Sequence, residues 1–230
     1  MTTQLPAPTI ISLGGSLIVP NHIDTEFLKA FKALITKRIT QGERFVLIVG
    51  GGKTARIYQD AAQAVTSVTN EDKDWIGIHA TRINAQLMRT SFVEHAHPEI
   101  VTDPEHVPFY TEPLLIGAGW RPGRSTDFMA IKLAQKLGAT TVINLSNIDQ
   151  VYTADPRKDA NAKPIEKITW SEYLSIIPQE WSPGLSSPFD PVASREAATS
   201  GISVSIINGA HLERLEACLD RKDFLGSTIA

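Results

Sequence analysis

Two short stretches hold most of the residues able to do chemistry. Gly50-Gly51-Gly52-Lys53-Thr54-Ala55-Arg56 sets three glycines directly before two cations, and Trp120-Arg121-Pro122-Gly123-Arg124-Ser125-Thr126-Asp127 gathers two guanidinium groups, two hydroxyls and a carboxylate. Glycines let backbone N–H groups approach an anion without interference from a Cβ, and a helix starting there adds favourable polarity. Arg forks match phosphate oxygens, Ser and Thr donate hydrogen bonds at a helix start, and Asp can hold a metal or order the cations. Two further turns, Leu13-Gly14-Gly15-Ser16 and Gly117-Ala118-Gly119, also close apolar runs. One such turn is weak evidence; together they point to a site for several phosphates.

Each motif has a plainer reading. Gly14 and Gly15 alone would mark a tight strand-to-helix turn. Three consecutive glycines are entropically costly and are seldom needed merely to turn, so function is favoured at Gly50–Gly52. If Lys53 opens a helix, Lys53 and Arg56 project near its first turn; the alternative is two solvated surface cations. Asp127 stands beside the hydroxyl caps Ser125 and Thr126 and is not needed for capping itself. Asn147, Asp149, Tyr152, Asp155 and Pro156 follow an apolar run at short spacing, where a base or ribose can sit, and a hydrophilic turn is an equal alternative. Asp74, just before Trp75, could be a helix N-cap. His79, His95, His97 and His106 lack the spacing and flanking carboxylates of a metal site and read as surface or packing residues.

The elements that must position these groups alternate between strand and helix patterns, the signature of a mostly parallel sheet covered on both faces. Strands are expected at Thr9–Leu13, Phe45–Val49, Leu114–Ile116, Thr140–Leu145, Ser203–Ile207 and near Thr228-Ile229. Asp24 should cap a helix carrying Phe27, Leu28, Phe31, Leu34 and Ile35. Further helices are expected at Lys53–Val65, Trp75–His95, from Ser125 or Thr126 to Leu137, at Trp170–Ile177, at Val192–Thr199 and from Ala210. Asn147 to Pro164 reads as an extended excursion, a hairpin lying over a ligand. No internal repeat or low-complexity segment interrupts the pattern.

The chain has 230 residues, 42% hydrophobic and 20% charged, enough for one large core or two lobes sharing a sheet. A net charge of -3 without a basic stripe argues against nucleic-acid binding. The single Cys218 excludes a disulfide framework and a cysteine metal cluster, and a reducing compartment is the default. Met1–Pro8 lacks a charged n-region and a long apolar core, and no apolar run approaches membrane-spanning length, so the expected location is the cytoplasm.

Taken in order, these residues resemble the amino acid kinase family, and within it the UMP kinases of the archaeal type. The matching stretches are Ile11–Ser16, Val49–Arg56, Asp74–Ala85, Pro122–Asp127, Asn147–Pro156 and Asp190–Ala193, which span nearly the whole chain in the family's order. The Asp74–Ala85 block is what separates UMP kinase from its relatives. The resemblance implies a three-layer α/β/α sandwich, a single amino acid kinase domain with an acceptor-binding N-lobe (about 1–135) and an ATP-binding C-lobe (about 136–230). It implies direct transfer of the γ-phosphoryl of ATP, with Mg²⁺, to UMP, giving UDP and ADP in pyrimidine nucleotide synthesis, by a homo-oligomer, typically a hexamer built from dimers. The helix from Trp75 to His95 would be an interface element.

Carried over by position, Gly15, Ser16, Gly52 and Arg56 look like ATP-phosphate contacts, and Ser146, Asn147, Tyr152 and Asp155 match the adenosine pocket. Gly51, Asp74 and the loop Arg121, Pro122, Gly123, Arg124, Ser125, Thr126 match the UMP side. Asp127 matches the family's Asp that orders the catalytic groups and the metal; the metal ligands themselves are left open. The chain departs from the pattern at Ser12, where many members have a Lys that reaches the transferring phosphoryl, and in a loop one residue longer at Gly119-Trp120. The missing cation is then expected from Lys53, Arg56, Arg121 or Arg124 with Mg²⁺, with Lys53, Arg56 and Asp127 catalytic. The alternatives are a kinase of this fold for isopentenyl phosphate or an acyl amino acid, or a non-catalytic nucleotide-binding relative.

Overall fold

The computed structural model describes residues 6–180 and 187–230; the reading of Met1–Leu5 lies outside them. In chain order the elements are β1 (Thr9–Leu13), α1 (Gly15–Ile18), α2 (Thr25–Thr40), β2 (Phe45–Val49), α3 (Gly52–Val65), α4 (Asn70–Ser91), β3 (Ala96–Val101), β4 (Leu114–Gly117) and α5 (Thr126–Leu137). They continue with β5 (Thr141–Ser146), β6 (Val151–Tyr152), β7 (Pro164–Ile165), β8 (Lys167–Ile168), α6 (Trp170–Ile176), α7 (Pro191–Ser200), β9 (Ser203–Asn208), α8 (Leu212–Leu219) and β10 (Ser227–Ile229).

Eight strands make one sheet in the order β3-β4-β2-β1-β5-β9-β10-β8. It is parallel from β3 to β9; β10 runs antiparallel to β9 and β8 runs with β10. The central strands read as unbroken apolar runs because both faces are covered. Alternate residues divide between two cores: Ile10, Val46, Ile48 and Val142 pack with α5, α6 and α7, while Ile11, Leu13, Phe45, Leu47 and Val49 pack with α2, α4 and α8. The result is the expected three-layer α/β/α sandwich. No described helix is long and apolar enough to cross a membrane.

α4 and β3 differ from expectation. α4 begins at Asn70 and ends at Ser91, not at Trp75 and His95. Its true start is a capping box, in which Thr69 Oγ1 accepts from Asp72 N–H at 3.1 Å and the Asp72 carboxylate accepts from Thr69 N–H at 3.0 Å. Asp74 therefore lies inside the helix and is no N-cap. Residues 92–95 form a turn into β3, a strand whose Pro98 and Glu99 hide it from pattern reading and which an edge position tolerates. The excursion after β5 does contain a hairpin, the antiparallel pair β6 and β7. The other caps hold: Asp24 accepts from Phe27 N–H and Ser125 from Phe128 N–H.

Candidate active site

The carboxyl ends of four neighbouring strands, β4, β2, β1 and β5, carry Gly117–Gly119, Gly50–Gly52, Gly14–Ser16 and Ser146-Asn147 respectively. The chain adds β2, β4 and β3 on one side of β1 and β5 and β9 on the other. That reversal opens the crevice in which open α/β sheets bind ligands.

At its centre two backbones touch. A Cβ on Gly15 would lie 2.2 Å from Gly52 N and 2.5 Å from Gly50 C, and one on Gly52 would lie 2.1 Å from Gly15 O. Gly52 also has φ of +59°, which disfavours any side chain. The N–H groups of Gly15, Ser16, Gly51 and Gly52 have no hydrogen-bond partner among the described residues, so donors from two helix starts stand side by side.

Beside this seam lies Asp127, on the first turn of α5. Its Oδ1 accepts from Ser12 Oγ at 2.9 Å and from Asn144 Nδ2 at 3.0 Å, and its Oδ2 accepts from Asp190 N–H at 3.3 Å. Burial, reinforced by the Asp190 carboxylate, pushes Asp127 up to about 7, against the pull of these donors. Burial also raises Asp190, whose Oδ1 caps α7 by accepting from Ala193 N–H at 2.7 Å. Among the described residues no group of three or more His, Cys, Asp or Glu side chains is arranged to hold a metal. His97 pairs with Glu112 and His106 with Asp103, one carboxylate each.

On the β2/β4 side, a cavity of about 280 Å³ opens between α3, α4 and the loop before α5. Of the expected acceptor residues, Gly51, Asp74, Arg124, Ser125 and Thr126 line it, together with Gly52 and Arg56. α4 ties down its walls through three side chains. Asp74 Oδ2 accepts from Gly123 N–H at 2.8 Å, Thr81 Oγ1 accepts from Gly119 N–H at 2.8 Å, and Asn84 Nδ2 donates to Gly50 O at 2.9 Å and Gly51 O at 3.1 Å. Burial raises the Asp74 carboxyl, partly offset by the Gly123 N–H. Arg124 lies over the Phe128 ring, 4.8 Å from its centroid, and its Nε is buried without a partner, a cation waiting for an acceptor.

Other expected residues stand elsewhere. Arg121 is exposed and stacks on Trp120 at 3.9 Å, while Arg82 Nη2 donates to the Trp120 carbonyl at 3.3 Å and so holds the loop after β4. Lys53 and Pro122 do not line the cavity; the Lys53 N–H donates to Val19 O. On the β5 side Ser146 is half-buried, Asn147 is exposed and Tyr152 sits in the hairpin. The Asp155 carboxylate accepts two bonds from the Arg157 guanidinium, each 3.0 Å, which hold it below the usual carboxylate range. Asp149 accepts from Arg214 Nη1 at 2.5 Å and Asn208 Nδ2 at 3.2 Å and is lowered chiefly by Arg214.

Asn144, Asp190 and Gln59 stand at the site although no role was expected of them, while Thr81 and Asn84 lie on the helix face expected to favour a nucleoside monophosphate. Asn144 had a signal: with Ser12, it is a lone polar residue in a run that is otherwise fully apolar, and a polar group buried to 5% exposure needs a partner. Thr81 and Asn84 carried a weaker one, being polar at three-residue spacing on the buried face of α4.

The family model described as the amino acid kinase family matches residues 7–208. The chain is 37% identical over 210 residues to a uridylate kinase of Pyrococcus abyssi, covering 90% of this chain and 92% of the relative. It is 34% identical over 226 residues to a uridylate kinase of Methanospirillum hungatei, covering 96% and 94%. Its structure is similar to the crystal structure of uridylate kinase from Archaeoglobus fulgidus, with a TM-score of 0.77 and 26% identity over 97% of this chain and 100% of that one. A UMP kinase of Bacillus anthracis, 17% identical with a TM-score of 0.75, shares the fold.

Proposed function

From the premise that the chain belongs to the amino acid kinase family, we propose that it is a UMP kinase, transferring the γ-phosphoryl of ATP to UMP to give UDP and ADP. The similarity to uridylate kinases supports this reading, and one observation carries it: the seam at Gly15 and Gly52, where unpaired N–H groups of two turns abut beside a cavity with a free Arg124 Nε. In-line phosphoryl transfer needs little covalent chemistry from a protein. It needs two anions held end to end and the charge on the moving group offset. An oxygen of the UMP phosphate bonds to the γ-phosphorus as the bond to the β–γ bridging oxygen breaks, and ADP departs.

The division of labour is proposed from the positions of the residues. Residues about 1–135 take UMP, with Gly51, Asp74 and the Arg121–Thr126 loop as contacts; residues about 136–230 take ATP through Ser146, Asn147, Tyr152 and Asp155, helped by Gly15, Ser16 and Gly52. Ser12 donates to Asp127 and supplies no cation. Arg56 and Arg124, at the cavity, are the nearest replacements, with Lys53 at the start of α3. The oxygens around Asp127 suit Mg²⁺, a hard cation that binds through one or two carboxylates plus substrate phosphates; Asp127 would hold it, and the ion would supply charge neutralisation. Trp75, His79 and Ile83 form an exposed stripe on α4, with Tyr58 exposed on α3, which supports a homo-oligomer, a hexamer built from dimers by analogy with the family. A cytoplasmic place in pyrimidine nucleotide synthesis accords with such an activity.

The test is ADP release across UMP, CMP, AMP and isopentenyl phosphate. Turnover with UMP at least tenfold above the others is expected. Tight ATP binding with no UMP turnover would sink the reading and favour a non-catalytic relative.

A further inference from the structure

We propose that Asn84, which sits behind the Gly50–Gly52 turn and lines no part of the cavity, is a positioning residue that aims the turn's N–H groups at the transferring phosphoryl. Its role rests on the UMP kinase reading for the chemistry but on geometry for the aim. The side chain is 4% exposed, in the middle of α4, and donates to two consecutive carbonyls, Gly50 O at 2.9 Å and Gly51 O at 3.1 Å. Two acceptors fix which end of the amide faces the turn, because only the NH₂ can serve both. No peptide here is cis. In a trans peptide the carbonyl of one residue and the N–H of the next point to opposite sides. Carbonyls 50 and 51 are held toward α4, so N–H 51 and N–H 52 point away from it, and both are without a protein partner. Gly15 packs directly on the turn, its missing Cβ 2.2 Å from Gly52 N and 2.5 Å from Gly50 O, so the turn's freed N–H groups stand beside those of the Gly14–Ser16 turn.

The Gly51 carbonyl also accepts from Ala55 N–H at 3.3 Å, whereas among the described residues the Gly50 carbonyl is held by Asn84 alone. Glycines at 50, 51 and 52 offer little resistance to rotation of the peptide planes, so a turn built to approach an anion closely is also one that can flip. A flip would present a carbonyl to the phosphoryl where a donor is needed. Asn84 closes that route, and backbone donors set in advance are the kind that stabilise charge without reorganisation. Ser12, three residues before Gly15, is neutral and donates to Asp127, so the chain depends more on these donors.

The test compares wild type, Asn84→Ala and Asn84→Asp by steady-state kinetics from pH 6 to pH 8, with melting temperature and ¹⁵N amide shifts of Gly51 and Gly52. Because Asp127 titrates near pH 7, each rate is taken as a ratio to wild type at the same pH. Asn84→Ala should lower kcat by about 10- to 100-fold, below the loss for deleting an oxyanion donor outright, with KM for ATP and UMP moving less than about threefold. In Asn84→Asp the introduced carboxylic acid can donate one hydrogen bond while protonated and none when ionised. Its kcat ratio should therefore rise as pH falls, while that of Asn84→Ala stays flat. The Gly51 and Gly52 amide shifts should move in both variants. A kcat within twofold of wild type in Asn84→Ala would overturn the proposal, as would unmoved amide shifts or a pH-flat ratio in folded Asn84→Asp. If wild type itself does not turn over UMP while the amide shifts move, the acceptor assignment fails and the aiming role of Asn84 stands.

Discussion

The two sides of the crevice are built differently. On the β2/β4 side, the walls are long helices, and a single helix, α4, reaches out with Asp74 and Thr81 to the β4–α5 loop and with Asn84 to the β2–α3 turn. On the β5/β9 side the polar groups satisfy one another: Asp149 with Arg214 and Asn208, Asp155 with Arg157, and Gln150 Nε2 with Gly226 O at 3.0 Å. One side is a cavity shaped in advance by buried bonds; the other is an open edge whose charges are already spoken for. Discrimination between small phosphorylated acceptors belongs where geometry is fixed, since a buried polar group left unpaired by the wrong ligand is costly.

Gly52→Ala should erase this contrast. With φ of +59° and no space for a Cβ beside Gly15 O, the substitution forces the two turns apart. Activity should fall by at least about 1000-fold, with affinity for both nucleotides lost together in calorimetric titrations. Loss confined to one nucleotide would show that the turns serve separate sites.

Asp127→Asn tests the junction by charge alone. Turnover should fall about 100- to 1000-fold in the steady state while the fold persists. Stability adds a signature with a definite sign. The folded carboxyl, pushed up to about 7, stays protonated where an unfolded one near 3.8 has ionised. Wild type should therefore lose stability as pH rises between those values, by at most about 1.4 kcal/mol per pH unit, and level off above them. The Asn variant should show a shallower slope in denaturant titrations of the ligand-free protein, the raised Asp190 and Asp74 carboxyls keeping part of it, and should be the more stable of the two at pH 8. Matching slopes would refute the assigned shift.

Asp74→Ala should sharpen the contrast from the acceptor side. It frees the Gly123 N–H and the loop it holds, and kcat/KM for UMP should drop about tenfold with KM for ATP within twofold. The smallest effect is expected from Arg214→Ala on the open side. Releasing Asp149 there should raise KM for ATP about two- to fivefold and leave KM for UMP unchanged. Equal responses of both KM values in either variant would dissolve the distinction between the sides.

The sequence made the layers and the turns legible because their signals are local: apolar runs ending in glycines, Asp24 and Ser125 as caps, strand and helix in alternation. It failed where a signal was masked or distant. Pro98 and Glu99 concealed β3, which survives as an edge strand, and Trp75 drew attention from the capping box at Thr69, well before the predicted helix start. Arg124, Ser125 and Thr126 were found by type and spacing and Asp74 by the family resemblance, and the four share one cavity. Lys53 was found the same way, yet its backbone bond to Val19 and the direction of α3 leave it outside. The partners of Asp127 come from β1, β5 and the start of α7, up to 115 residues away, and no spacing rule spans that distance.

The contact between Gly15 and Gly52 also bears on how such a chain can change over generations. Backbone pressed on backbone leaves no side chain through which the distance between the two turns could drift, so a new acceptor cannot be reached by adjusting the centre. Innovation is confined to the far wall, where Gln59 and Gly77 line the cavity and a Cβ on Gly77 would meet only Gln59 Nε2, at 3.4 Å. A lineage could exchange one small phosphorylated substrate for another there, while the transfer step passes from ancestor to descendant unaltered.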